Sequence, residues 1–215
     1  MSKIEVGIGG SYSDVIVLEG SQECDRDVVI GEGGSLSLAI VALAKGTDDI
    51  SCRLRVRFEG TGGSCTIRGL YIASGSARVT IEANMTHGHA DCHSSQLFKG
   101  ILSGSARTSF EGLIRVPEHC IGTEAYQENH NLLLGDDCVA RSLPHLEIYA
   151  DDVKCSHGAT MGRLNEDELF YLRSRGIDLS EAQRLQMIAF AGEVLEGLPQ
   201  DVVDKALTAL ETKNH

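Results

Sequence analysis

From Lys3 to about Ile148, apolar and polar positions alternate in short stretches broken by Gly, Ser or Asp at intervals of about ten residues. The clearest stretch is Ile50–Glu59, where Cys52, Leu54, Val56 and Phe58 take one face and Arg53, Arg55, Arg57 and Glu59 the other. That is the period of a strand with one side in a core and the other in water. Asp14–Glu19, Ser35–Leu43, Ala77–Ala83 and Ala106–Val116 repeat it. After Arg163 the period lengthens to about 3.6. Asn165 can cap a helix that Gly176 closes, with Glu168 as the return arm of a capping box. Ser180 and Gln183 repeat the device for a second helix, which runs through Met187–Phe190 to Leu195 and ends near Gly197. Pro199 suits the first turn of a third, Gln200 to about Glu211, with Val202, Val203, Ala206, Leu207 and Leu210 on one face. A strand-rich body, 1–162, is therefore expected to precede a helical segment, 163–215.

Two internal echoes suggest that the strands belong to a coil repeated along an axis. Ser74–Arg78 and Ser103–Arg107 both read SGSAR, and Phe58–Gly60 and Phe110–Gly112 both read FEG. With 24 Gly, no Trp and 5% aromatic residues, a core must be assembled from small aliphatic side chains. The narrow interior of a parallel β-helix suits that composition better than an aromatic-rich sandwich or jelly roll, which is the alternative for so many short strands.

The formal charge of −12 and the absence of any Lys/Arg stripe leave little for a phosphate backbone or an anionic bilayer to bind, so neither nucleic acid nor membrane is expected as a partner. The N-terminus lacks the layout of a secretory signal, and no apolar run approaches the roughly 20 residues of a membrane span. Both point to a cytoplasmic chain. The seven cysteines are odd in number and form no C-x-x-C pair, so they read as free thiols, most of them small buried side chains.

Two segments carry candidate chemistry. In Ala150–Thr160, ADDVKCSHGAT, a strand continuing from Glu147 would put Cys155 and His157 on one side, with Cα atoms roughly 6.6 Å apart. Thiolate with imidazole suits zinc, copper or iron, but two donors begin a site without completing it, since such sites usually need four. A buried thiol beside a turn histidine, or a Cys–His nucleophile pair, would leave the same pattern. The second segment is His87–His93, HGHADCH, where His87, His89, Asp91 and His93 would share a face if extended, and where a solvated polar edge is the plain alternative. The Gly-rich stretches at Gly7–Gly10 and Gly31–Gly34 lack the context of a phosphate loop and read as tight turns.

From about Asn84 to Leu195 the chain resembles the SufB/SufD family of iron–sulfur cluster assembly scaffolds. The resemblance rests on QENHNLLLG (Gln127–Gly135), PHLEIYADDVKCSHGATMGRL (Pro144–Leu164) and DELFYLRSRGI (Asp167–Ile177), with Ala189-Phe190 in the following helix. It implies a right-handed parallel β-helix followed by a small C-terminal helical segment, and a non-enzymatic scaffold for a transient iron–sulfur cluster. It also implies pairing with a second such chain, as a homodimer or heterodimer, docking of a SufC-like ABC-type ATPase through 165–195, and a cysteine desulfurase system as the sulfur source. By position, Cys155 and His157 match the Cys and His of the SufD-type CSHGAT motif, near the junction of two scaffold chains, and His89, Cys92 and His93 are further candidates for handling iron or sulfur. A SufB-type chain has a cysteine near the position of Asn129, and a Glu-rich segment where this chain has Ser156 and Gly158. This chain is SufD-like there, which leaves open an adaptor that organises the ATPase around a separate scaffold without holding the cluster. A β-helical hydrolase or polysaccharide-binding protein would share only the architecture.

Overall fold

The computed structural model describes residues 2–211. Its strands fall into two six-stranded sheets in which every neighbouring pair is parallel. One sheet runs β1 (Ser2–Val6), β3 (Gln22–Ile30), β5 (Asp49–Phe58), β7 (Arg78–His87), β9 (Arg107–Val116) and β11 (Val139–Ile148). The other runs β2 (Ser11–Glu19), β4 (Ser35–Ala44), β6 (Ser64–Ala73), β8 (His93–Leu102), β10 (Glu124–Leu133) and β12 (Lys154–Gly162). Each strand pairs only with the strand one coil earlier and one coil later, so the chain winds as a parallel β-helix of about five turns.

The lumen follows from the alternation. Val28, Val56, Met85 and Ile114 stand in register on β3, β5, β7 and β9, and all four are buried. The intervening residues of the same strands form ion pairs on the outer face, Arg53 with Glu82 at 2.6 Å, Arg55 with Asp25, and Arg57 with the buried Asp27 at 2.8 Å, each with its arginine open to water. Pairs this exposed contribute about 0–1 kcal/mol each, so the apolar ladder carries the fold.

The two SGSAR copies sit at the same corner one coil apart, with Arg78 in register with Arg107. Gly75 and Gly104 both adopt the left-handed conformation, φ 71° and 67°, and a Cβ on Gly104 would come within 2.8 Å of the Gly75 carbonyl oxygen. The motif recurs because stacked corners admit only glycine there. The FEG echo has no such basis. Phe58 ends β5, whereas Phe110 lies in the middle of β9, so those copies occupy unlike places in the coil and do not mark its period.

Three helices follow, α1 (Glu166–Ser174), α2 (Leu179–Leu195) and α3 (Gln200–Glu211); α2 and α3 cover the outside of the even-numbered sheet, and α1 packs on α2. Met187, Ala191, Val194, Val202, Ala206 and Leu210 pack on Val41, Leu70, Ile72, Ile101 and Leu132. That second core explains why β4, β6 and β8 lose their alternation in their C-terminal halves, where both faces are buried. The capping differs from expectation in two details. Asn165 Oδ1 accepts from the Asp167 and Glu168 amides as expected, but the return bond to the Asn165 N–H comes from Gln186 Oε1 on α2, not from Glu168. The cap of α2 is Asp178, not Ser180: an ionised carboxylate is the better acceptor at a positive helix end, and the Ser180 hydroxyl donates to it. None of these helices is long and apolar enough to cross a membrane.

Two cations tie the end of α2 to the solenoid. Lys99, buried on the outer face of β8, donates to the Phe190 carbonyl at 3.0 Å, pairs with Glu193 at 2.7 Å and lies over the Phe190 ring. Arg68 on β6 donates to the Glu196 carbonyl at 2.8 Å. Both place positive charge where the helix dipole is negative. Lys99→Met keeps the apolar stem but removes the ammonium that the Phe190 carbonyl and Glu193 share. It is expected to cost about 1–3 kcal/mol in urea unfolding and to speed amide exchange in Phe190–Leu195. Unchanged exchange in that segment would show that the ammonium does not hold the helix.

Candidate functional site

The strand imagined from Glu147 to Cys155 is broken. β11 ends at Ile148, residues 149–153 turn a corner of the coil, and β12 begins at Lys154. The paired Asp151-Asp152 belongs to that corner, because a coil must reverse between its two sheets and short polar side chains suit the turn. Cys155 and His157 then lie two apart on β12, in register with Ala125 and Gln127 of β10. Those partners are buried, and Cys155 packs against the lumen core, so the shared face is the lumen face.

What sets the pair apart is its place in the stack. β12 is the terminal strand of its sheet, with no strand beyond it among the described residues. Cys155 is therefore half-buried and His157 exposed, although the same positions are sealed on β4, β6, β8 and β10. Burial raises the Cys155 pKa above the ordinary thiol value, partly offset by a backbone hydrogen bond at Ala125 that favours the thiolate. A soft metal would have to displace that proton on binding. Of the seven free cysteines, the other six are buried. Cys92, Cys120 and Cys138 donate to the carbonyls of Gly60, His87 and Gly104 on the preceding coil. Cys24 and Cys52 stack in register at the far end of the helix, their mutual hydrogen bond lowering Cys24 to about 7 and raising Cys52.

Under β12 the lumen changes character. Gln127, Asn129 and Asn131 of β10 point inward in register with Gln96, Phe98 and Gly100 of β8, and all three are buried. The Asn129 amide donates to the Tyr71 hydroxyl at 2.8 Å, Tyr71 donates to Asn131 Oδ1 at 2.6 Å, and Asn131 donates to Asn129 Oδ1 at 2.9 Å. Desolvation holds the Tyr71 phenol up at about 12, so it stays a donor. Gln127 donates to Gln96 Oε1 at 3.2 Å. This amide column was written in the sequence as Gln-x-Asn-x-Asn at a spacing of two, a strand whose buried face is polar.

The His87–His93 segment is not extended. β7 ends at His87, the chain turns a corner in which Asp91 has φ 56°, and β8 starts at His93. The corner points its side chains apart. His87 is buried, stacked on Phe58 and hydrogen-bonded to Ser94 at 2.9 Å, while His89 is exposed. Cys92 is turned into the core, and His93 faces Glu124 across 3.7 Å. Among the described residues, no three His, Cys, Asp or Glu side chains converge in a way that could hold a metal. Cys155 and His157 thus offer two donors, and a complete set needs others from outside these residues. Two clefts of about 380 and 390 Å³ lie elsewhere, one beside α3 and one between α1, α2 and Leu132.

Residues 23–190 match the family model described as SUF system FeS cluster assembly, SufBD core domain. The chain is 46% identical over 125 residues to the iron–sulfur cluster assembly protein SufD of Escherichia coli (strain K12), covering 58% of this chain and 30% of that protein. It is 35% identical over 185 residues to an iron–sulfur cluster assembly SufBD family protein of Mycobacterium bovis, covering 82% of this chain and 47% of that one. Protein ABCI7, chloroplastic, of Arabidopsis thaliana is 43% identical over 115 residues, 53% of this chain and 24% of its own length. The chain spans less than half the length of each of these relatives.

His87 makes a prediction independent of any ligand. Burial, and then the nearby His93, lower its pKa to about 4, against about 6.5 for an exposed imidazole. Between those values the unfolded chain binds a proton that the folded chain refuses. Stability is therefore full above about pH 6.5 and is lost as pH falls toward 4. Between pH 7 and 4.5 the native protein should lose about 2–3 kcal/mol more in urea unfolding than His87→Phe, which keeps the stacked ring. Equal acid losses in the two proteins would mean that His87 titrates normally.

Proposed function

The chain belongs to the SufB/SufD family of the Suf iron–sulfur cluster assembly system, and from that premise we propose that it is a scaffold subunit on which a transient cluster is held, working with a SufC-like ABC-type ATPase. The observation that carries this reading is the position of Cys155 and His157 on the lumen face of the terminal strand. A second SufB/SufD-type chain stacked against that end would bring its own donors to a thiol and an imidazole that are otherwise two short of a set. With a twofold axis there, one motif contributes four ligands. The cluster is cargo on this view, its sulfur coming from a cysteine desulfurase system and its iron from the cell, and the chain performs no bond-making of its own. The proposal places this work in the cytoplasm, without nucleic acid or membrane. His89, Cys92 and His93 diverge around their corner, so the proposal gives them no shared ligand role.

The helical segment, taken as a unit from residue 163, is proposed to dock the ATPase through 165–195. Phe170 is 75% exposed and Tyr171 57%, with Leu179 and Leu185 exposed nearby and the 390 Å³ cleft between α1 and α2 beside them. A partner seated there would act on α2, which Lys99 clamps to β8, and β8 is separated from β12 only by β10. Nucleotide-driven movement would thus reach the strand that carries the ligands.

One observation favours the adaptor reading. The Asn129 amide, near where a SufB-type chain has its cysteine, is buried and committed to Tyr71 and the Phe98 carbonyl, so it offers nothing to iron. Anaerobic reconstitution of the complex recovered from cells separates the two. A Cys155→Ser/His157→Ala double variant should hold at least about tenfold less cluster iron by absorbance and Mössbauer spectroscopy. A full cluster in that variant assigns the chain to the adaptor role. Truncation after Arg163 should abolish co-purification with the ATPase, and persistent co-purification would place the docking surface elsewhere.

A further inference from the structure

Gln127 opens the first family-like segment, yet nothing so far gives it a task. Its side chain is 1% exposed on the lumen face of β10, in register with Gln96 on one side and His157 on the other. It is given room: a Cβ on Gly112, across the lumen on β9, would lie 2.1 Å from Gln127 Oε1. That space is taken up by a carboxamide whose Nε2 is committed to Gln96 and whose Oε1 is buried with no hydrogen-bond partner. Leaving such an acceptor unmet is costly, and polar lumen groups in native proteins are normally satisfied. The neighbours along β10 cannot meet it, because Ala125 has no donor and the Asn129 amide donates to Tyr71 and Phe98. On the β8 side the Gln96 Nε2 is itself buried without a partner but makes no bond to it, its carboxamide meeting Gln127 through Oε1 alone. On the other side, in-register stacking brings the imidazole of His157, which is exposed.

We propose that Gln127 is a positioning residue: its Oε1 accepts the N–H of whichever His157 ring nitrogen faces the lumen, so that the other nitrogen presents its lone pair at the open end. This deepens, and rests on, the reading of Cys155 and His157 as cluster ligands. A ligating histidine needs its second nitrogen anchored in this way, because the anchor selects the tautomer and the ring orientation. The buried Gln96–Gln127 pair supplies the anchor from below, and Gly112 makes the space for it.

The test reads the tautomer of His157 in the free full chain, without iron, by long-range ¹⁵N–¹H correlation of ¹⁵N-histidine-labelled protein at about pH 9, where an imidazole of ordinary pKa is neutral. His157→Gln identifies the resonance. The native chain should show one dominant tautomer, Gln127→Met should collapse it toward the mixture shown by the exposed His145, and Gln127→Glu, which keeps an acceptor in place, should retain it. Ser142→Ala, which removes an unpartnered buried hydroxyl on β11, is the control and should change nothing. In the assembled complex, Gln127→Met should weaken anaerobic binding of ferrous iron about 10- to 100-fold. Identical tautomer mixtures in native and Gln127→Met protein, an inverted tautomer in Gln127→Glu, or a response to Ser142→Ala alone would overturn the proposal. Its failure is distinct from that of the ligand reading, which fails if His157→Ala leaves reconstitution intact whatever the tautomer.

Discussion

The backbone ladder between successive coils is the interaction on which everything else in this molecule depends. A strand in a parallel β-helix satisfies its amides and carbonyls only through the strand one coil before and one coil after, so each coil is complete only when it is stacked. Residues 29 apart, such as Arg78 and Arg107, come into register by that rule, and the lumen ladder Val28–Val56–Met85–Ile114 follows from it. The same rule leaves the last strand half satisfied. Among the described residues, β12 presents one unpaired edge and an uncovered lumen face, and natural proteins cover or occupy such edges. Cys155 and His157 lie on that face, which links the chemistry of the site to the fold at a single strand.

Much of this architecture was legible in the residues. Period-two patterning placed β5 and β9 within a residue or so, and the small-aliphatic composition pointed to a narrow lumen. The SGSAR echo marked a true coil because left-handed Gly75 and Gly104 stack on one another. FEG failed as a marker because three shared letters carry no conformational demand. The cap of α2 was misplaced by two residues because Asp178 and Ser180 are both good caps by composition, and only the packed chain shows which one meets Glu181.

The candidate site was legible as two donors and no further. Local spacing cannot show that β11 and β12 are separated by a corner, nor that β12 is terminal, since both depend on where the stack ends. The His87–His93 cluster misled for a related reason: a coil corner scatters neighbouring side chains into core and solvent, so density along the chain was not density in space. The Gln-Asn-Asn column was visible as alternation, but its role depends on Gly112 and Tyr71, which reach it from β9 and β6.

A polar lumen lies beneath the terminal strand, with a helical segment clamped by Lys99 two strands away, and the proposed function makes that coil the place where pairing, ligand binding and helical movement meet. Hydrogen–deuterium exchange of β12 tests this most directly, comparing the free chain with the proposed assembly. The account predicts that amides of Lys154–Gly162 exchange quickly in the free chain and are slowed at least about tenfold on assembly, as the open edge is covered. Protection that appears on other surfaces while β12 continues to exchange freely would contradict it.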